Sequence, residues 1–331
     1  MIFMIAVMKL FLIEPFPLNH FYQTKYFTPS CNIFLPSVSK GKSLKTTAMR
    51  KFKIVIPVIM FLLINVNVFG QTKTIYFEVI KSGKGDKSII FIPGFASSGE
   101  VWDDTRTKYE KDHTCYTLTM AGFAGVAPQP NSTFSVWVKS IADYIKENNI
   151  EKPVVIGHSM GGVMAMALAS DYPDLIGKII VVDGLPCLQA LMNPNFKPVE
   201  KPDCSAMSSQ IVSASDSDFY KMQTMSIKQL MADTTKREQV IGWSMKSDRK
   251  TFAEMYCDFY NIDLRDKVKN IECPSLILLE EYFKNIKPAI EDQFKNLKTA
   301  SLQYSNKGLH FIMYDDKEWY FSQLDNFITS K

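Results

Sequence analysis

A chain of 331 residues that is 46% hydrophobic and 22% charged has material for one large globular domain or two small ones, with the composition of a soluble folded protein. Its formal charge of +4 arises in residues 1–70, where eight Lys and Arg stand against Glu14 alone; beyond them 30 basic residues face 33 acidic ones, a balance of −3. The body therefore lacks the basic excess that a nucleic-acid partner calls for.

Residues 1–48 carry aromatics and prolines with no sustained period, and are read as an extension outside the native protein, with Met49 as the initiator. Met49-Arg50-Lys51-Phe52-Lys53 gives a cationic start, Ile54 to Phe69 an apolar run broken by Pro57, Asn65 and Asn67, and Gly70-Gln71 a place for cleavage. That is the layout of a secretory signal over 49–70. A run of 16 residues falls short of the roughly 20 a spanning helix needs. The expectation is an exported protein, periplasmic or secreted, comprising residues 71–331 and without a stable membrane span. Five cysteines lie in that body (Cys115, Cys187, Cys204, Cys257, Cys273) and cannot all pair. Cys187 and Cys204 are close in a loop-rich stretch and form the candidate bridge, against the alternative of buried free thiols. No Cys or His cluster has metal-ligand spacing, so neither a metal nor a cofactor is expected.

Lys73 to Ile80 alternates like a strand, Ser82-Gly83-Lys84-Gly85-Asp86 supplies turn residues, and Ser88 to Ile92 is a short apolar run, so a hairpin-like pair is expected. Neither Gly83-Lys84-Gly85 nor Gly41-Lys42-Ser43 has the spacing of a phosphate-binding loop. Strands are then read at His113 to Thr119, Pro153 to Ile156 and Ile176 to Val182, with helices at Phe134 to Asn149 and Met160 to Tyr172. Strand runs without alternation are buried on both faces, and helices between them imply crossovers in a parallel sheet. From Leu185 to about Lys269 the rhythm gives way to a helical, methionine-rich stretch (Met207, Met222, Met225, Met231, Met245, Met255), read as a lid inserted between sheet strands. Strands return at Pro274 to Leu279 and Thr299 to Tyr304, and a closing amphipathic helix covers Lys317 to Ile328. The architecture is α/β.

The segment Val154-Val155-Ile156-Gly157-His158-Ser159-Met160-Gly161-Gly162 leaves a buried strand, turns sharply and enters a helix. A residue on so tight a turn needs glycine two positions to either side, which Gly157 and Gly161 supply. The turn lifts the Ser159 hydroxyl above the carboxyl edge of the sheet, and the helix start offers free N–H groups to an oxyanion. This segment resembles the nucleophile elbow of the α/β-hydrolase superfamily, and the likeness extends over nearly all of Thr74 to Ile328. Phe91-Ile92-Pro93-Gly94-Phe95 is similar to the family's oxyanion loop, and Ala121-Gly122-Phe123-Ala124-Gly125 to the glycine-bearing loop after the next strand. The resemblance implies a three-layer fold, and an oxyanion hole made by the N–H groups of Phe95 and Met160.

A serine hydroxyl needs a base to take its proton. Of the body's three histidines, His158 is held in the elbow and His113 precedes the serine, whereas His310 follows the last strand in Gly308-Leu309-His310-Phe311. For the acid the chain departs from the commonest family pattern: Phe283 stands near the usual aspartate position, with Glu280 and Glu281 slightly early. Some members, haloalkane dehalogenases among them, carry the acid one strand earlier, where this chain has Asp183, and Asp183 is preferred to Glu281 or Glu280. The function implied is hydrolysis of an ester-like bond (carboxylic ester, lactone or thioester) of a small molecule through an acyl-enzyme. A C–C bond hydrolase, lyase or acyltransferase on the same fold, or a non-catalytic binding member, are the alternatives.

Overall fold

The computed structural model describes residues 74–329; the segments read as extension and signal, 1–48 and 49–70, lie outside them. In chain order the regular elements are β1 (Phe77–Ser82), β2 (Lys87–Ile92), α1 (Asp103–Tyr109), β3 (His113–Met120), α2 (Phe134–Glu147), β4 (Val154–His158), α3 (Met160–Asp171) and β5 (Lys178–Val182). Four helices follow, α4 (Ser205–Ser213), α5 (Asp216–Leu230), α6 (Arg237–Lys246) and α7 (Arg249–Tyr260). The chain then closes with β6 (Ser275–Leu279), α8 (Lys287–Phe294), β7 (Ala300–Tyr304), α9 (Ile312–Asp315) and α10 (Lys317–Thr329). Among the described residues no helix is long and apolar enough to cross a membrane.

The strands form one sheet in the order β1-β3-β2-β4-β5-β6-β7, parallel except for β1, which runs antiparallel to β3. Side chains along a strand alternate between faces, and the apolar runs of the central strands fill both. Ile90, Ile92, Val155, Ile179, Val181, Ile277 and Leu279 join the core under α2 and α3. Ile89, Phe91, Ile156, Ile180, Val182, Leu276 and Leu278 join the core on the α10 side. The outer layers follow from their own patterns. In α2, Phe134, Trp137, Val138, Ile141, Ala142 and Ile145 make one buried stripe at helical spacing, and the Thr133 hydroxyl caps the start by accepting from the Val136 N–H at 3.2 Å. In α3 every residue from Met160 to Ser170 is buried, as a helix packed on all sides requires.

The expected hairpin of the first two strands is corrected: β1 and β2 do not pair, and β3 lies between them. The reason is burial. Ile89 to Ile92 is apolar on both faces and fits only a central position, whereas β1, with Glu78, Ile80 and Lys81 exposed, fits an edge.

Between β5 and β6 the chain leaves the sheet, and α4 to α7 form a helical insertion on its carboxyl edge. It is fastened to the body at several points. The Asp248 N–H donates to the Gly122 carbonyl at 2.8 Å, the Ala124 N–H donates to the Ser247 hydroxyl at 3.0 Å, and the Trp243 indole N–H donates to Glu100 at 3.1 Å. Gly122 has φ +82°, and a Cβ there would lie 2.5 Å from the Thr251 side chain, so only glycine lets α7 sit so close.

The candidate Cys187–Cys204 bridge is also corrected. Cys204 is joined to Cys257, 53 residues on, and Cys187 is a buried thiol whose backbone N–H donates to Gln293 at 3.1 Å. Closeness in sequence misled: Cys187 belongs to the body beneath α8, while Cys204 starts α4 beside α7. Burial pushes the Cys187 thiol up to about 11, so it is an inert core residue. A bridge across so long a loop constrains the unfolded chain, and the Cys204→Ser/Cys257→Ser double variant should lose about 2–4 kcal/mol of unfolding free energy. Urea titration checks this, and an unmoved midpoint would show that the bridge adds nothing.

Candidate active site

The site begins with strained backbone. Ser159, between β4 and α3, has φ +53° and ψ −119°, a conformation that costs an L residue about 1–3 kcal/mol. The surroundings leave it no alternative. A Cβ on Gly157 would lie 2.1 Å from the Gly161 carbonyl oxygen, and one on Gly161 would lie 2.3 Å from that of Ile92. The Ser159 N–H is tied to the Val182 carbonyl at 2.8 Å. The turn is thus wedged between the ends of β2 and β5, with Ser159 nearly buried.

The same closeness brings the loop after β2 to the elbow. A Cβ at Gly94 would sit 3.3 Å from Ser159 Cβ and 2.8 Å from His158 Nδ1. Ser97 N–H donates back to the Gly94 carbonyl at 3.3 Å, closing a turn with Ala96 at φ +53°. Phe95 on this turn packs edge-on against Phe123, and against Phe252 and Tyr256 of α7. Met160 is the first residue of α3, where an N–H has no partner within the helix.

Asp183 follows β5 directly, also at positive φ (+53°), which points its carboxylate along the sheet edge toward β6. One oxygen accepts from His310 Nδ1 at 2.6 Å and the other from the Glu280 backbone N–H at 2.8 Å, so the carboxylate plane is fixed. Both side chains are almost fully buried. Since a carboxylate only accepts, the hydrogen is on His310 Nδ1, which in the neutral ring leaves the lone pair on Nε2. Among the sequence candidates the structure therefore joins His310 to Asp183. Glu281 is exposed at the surface; Glu280 is buried and reaches Asp183 through its main chain. His113 begins β3, at the opposite edge of the sheet.

The loop carrying His310 is held by groups that no motif announced. His158 Nε2 donates to the His310 carbonyl at 2.9 Å, and the two rings lie 4.7 Å apart between centroids. Asp315 accepts from the Leu309 N–H at 3.1 Å and from the N–H groups of Ala232 and Asp233 at 3.0 and 2.8 Å, linking this loop to the insertion. Ser305 donates to Asp316 at 2.7 Å and accepts from Gly308 N–H at 2.7 Å. The elbow and the histidine loop are thus bolted together through His158. Among the described residues no three His, Cys, Asp or Glu side chains gather as metal ligands do.

Burial, and next the nearby His310, hold the His158 pKa well below its ordinary value. The unfolded chain then binds more protons than the folded one once pH falls below about 6.5, so this histidine's contribution is present above that pH and is lost beneath it. The unfolding free energy should drop between pH 6.5 and 5 with a limiting slope of about 1.4 kcal/mol per unit. Urea titrations across that window, with His158→Gln as the flattened control, give the test.

These elements define a three-layer α/β protein with a serine on a strand-to-helix elbow and a histidine–aspartate pair at the same sheet edge. A sequence profile of the alpha/beta hydrolase fold family matches residues 87–210. A pimeloyl-[acyl-carrier protein] methyl ester esterase of Aliivibrio fischeri is 22% identical over 205 residues, which are 62% of this chain and 77% of that protein. Among solved structures, MenH from S. aureus superposes with a TM-score of 0.62 at 16% identity, covering 77% of this chain and 98% of that one. The enol-lactonase from Burkholderia xenovorans LB400 does so at 0.64 and 12% identity, covering 77% and 96%. The chain has the α/β-hydrolase fold, and it is a hydrolase enzyme.

Proposed function

We propose that this enzyme hydrolyses an ester-like bond of a small molecule through a covalent acyl-enzyme on Ser159. Ser159 Oγ attacks the carbonyl carbon while its proton passes to His310 Nε2, and the oxyanion is met by the N–H groups of Phe95 and Met160. His310 returns that proton to the leaving oxygen as the carbon–oxygen bond breaks. A water then repeats the sequence on the acyl-enzyme, releasing the acid and restoring Ser159. Asp183 keeps the hydrogen of His310 on Nδ1 throughout.

The observation that carries this reading is the 2.6 Å bond between Asp183 and His310, beside a serine held at φ +53° on the elbow. Strain of that kind is retained only where the surrounding structure enforces it, and it gathers at functional positions. The esterase relative and the enol-lactonase neighbour, as named, act on ester-like bonds and support the same class. The Cys204–Cys257 disulfide supports an oxidising compartment, consistent with export to the periplasm or beyond.

Incubation with a fluorophosphonate followed by peptide mapping is expected to locate one adduct at Ser159, and the protein is expected to turn over p-nitrophenyl butyrate. An adduct without ester turnover would move the assignment to a C–C hydrolase, lyase or acyltransferase on the same machinery. No adduct would leave a binding protein.

A further inference from the structure

Residues 305–311, between β7 and α9, form neither helix nor strand, so individual hydrogen bonds place His310. Two side chains grip the main chain closest to it. His158 Nε2 holds the His310 carbonyl from the serine's own elbow, and the Asp315 carboxylate holds the Leu309 N–H at 3.1 Å. The second grip has a further hand. While one oxygen of Asp315 accepts from Leu309, the other accepts from the N–H groups of Ala232 and Asp233 at 3.0 and 2.8 Å, on the turn between α5 and α6. A single carboxylate thus joins the histidine loop to the insertion, and ionised acceptors make the stronger hydrogen bonds.

Each side of this bridge is stiff. Asp315 ends α9, whose Ile312 and Met313 are buried in the core on the α10 side together with Ile227, Leu230 and Met231 of the insertion. The turn is braced by Arg237, whose Nε and Nη2 donate to the Met231 carbonyl at 3.0 and 2.7 Å. It is braced again by the Asp233 carboxylate, which accepts from the N–H and hydroxyl of Thr235 at 2.8 and 2.6 Å. A longer bond of 3.3 Å, from the Phe311 N–H to the Leu230 carbonyl, runs beside the bridge. A shift of the turn is therefore passed on to the loop, and about 1 Å of misplacement in a reacting group can cost about 10²-fold in rate.

We propose that Asp315 is a positioning residue for the base: it makes the placing of His310 depend on the seating of the α5–α6 turn, so that the insertion takes part in setting up catalysis. Asp315 acts through His310, touches no substrate and moves no proton. The inference rests on the serine-hydrolase reading for the role of His310.

Asp315→Asn cuts the bridge on one side. Its one acceptor oxygen can face the two N–H groups of the turn or the single one of Leu309; the turn offers more bonds, which leaves an NH₂ against the Leu309 N–H. With p-nitrophenyl butyrate, kcat should fall about 10–100-fold while KM stays within about threefold. In a His310→Ala background the same substitution should alter the residual rate by less than about twofold, because no base remains to be placed. A further loss in that background would show that Asp315 serves the fold at large and would overturn the proposal, as would an unchanged kcat in Asp315→Asn alone. Amide hydrogen exchange on the unaltered protein gives a second arm that needs neither a folded variant nor turnover. Ala232, Asp233 and Leu309 should share one opening free energy, and separate values overturn the bridge. Shared exchange without ester turnover upholds the bridge and removes the hydrolase reading; turnover with separate exchange does the reverse.

Discussion

Replacement of Ser159 by alanine is expected to lower kcat/KM for p-nitrophenyl butyrate by about 10⁴–10⁶-fold, to the level that an oxyanion hole and binding alone sustain. The size follows from the chemistry: without Oγ no acyl-enzyme forms, and neither His310 nor the N–H groups of Phe95 and Met160 have a covalent step to assist. The backbone adds a second, independent outcome. At φ +53° and ψ −119° the strain belongs to any residue with a Cβ, so alanine retains it and glycine relieves it. Against this, glycine loses more conformational freedom on folding, by roughly 0.5–1 kcal/mol. Ser159→Gly should therefore be as inactive as Ser159→Ala yet more stable by about 1 kcal/mol, read from urea midpoints. Activity surviving in both variants would place the nucleophile elsewhere. Equal stability of the two would mean that the elbow stores no strain.

How far the sequence alone reaches is shown by which residues it assigned and which it missed. The elbow was legible because its steric demand is local: Gly157, Ser159 and Gly161 lie within one turn, and the apolar run before them and the helix after them define the context. Central strands were legible because burial on both faces suppresses alternation. Pairing was not, since nothing in Lys73 to Ile92 says that β3 enters between its two strands. The disulfide partner of Cys204 was hidden for the same reason: α4 and α7 meet only in three dimensions. Asp183 was reachable as the preferred acid because the resembled family offers a second place for it, at the end of the earlier strand; the positive φ that Asp tolerates there emerged only in the structure. The supports of the histidine loop, Asp315 and the Nε2 of His158, left no signal. Their work is main-chain anchoring across 6 to 152 residues, a role that fixes geometry and not a motif.

Asp183→Asn is the sharpest test of the acid, because the main chain dictates which way the new amide must face. The Glu280 N–H donates to one carboxylate oxygen at 2.8 Å and needs an oxygen opposite it, so the asparagine carbonyl must turn there and its NH₂ toward His310. An NH₂ facing Nδ1 forces that nitrogen to accept, which moves the ring hydrogen to Nε2, the atom that must take the proton of Ser159. The fold keeps its contacts while the base points a hydrogen at its substrate, and kcat should fall about 10⁴-fold, as the wrong tautomer costs other catalytic triads, with KM little changed. Glu281→Gln should stay within about twofold, since that side chain is exposed and the loop is held by its N–H bond to Gly308. A loss below tenfold in Asp183→Asn would mean that His310 does not draw its tautomer from Asp183, and would return the acid to Glu280, the buried carboxylate beside it.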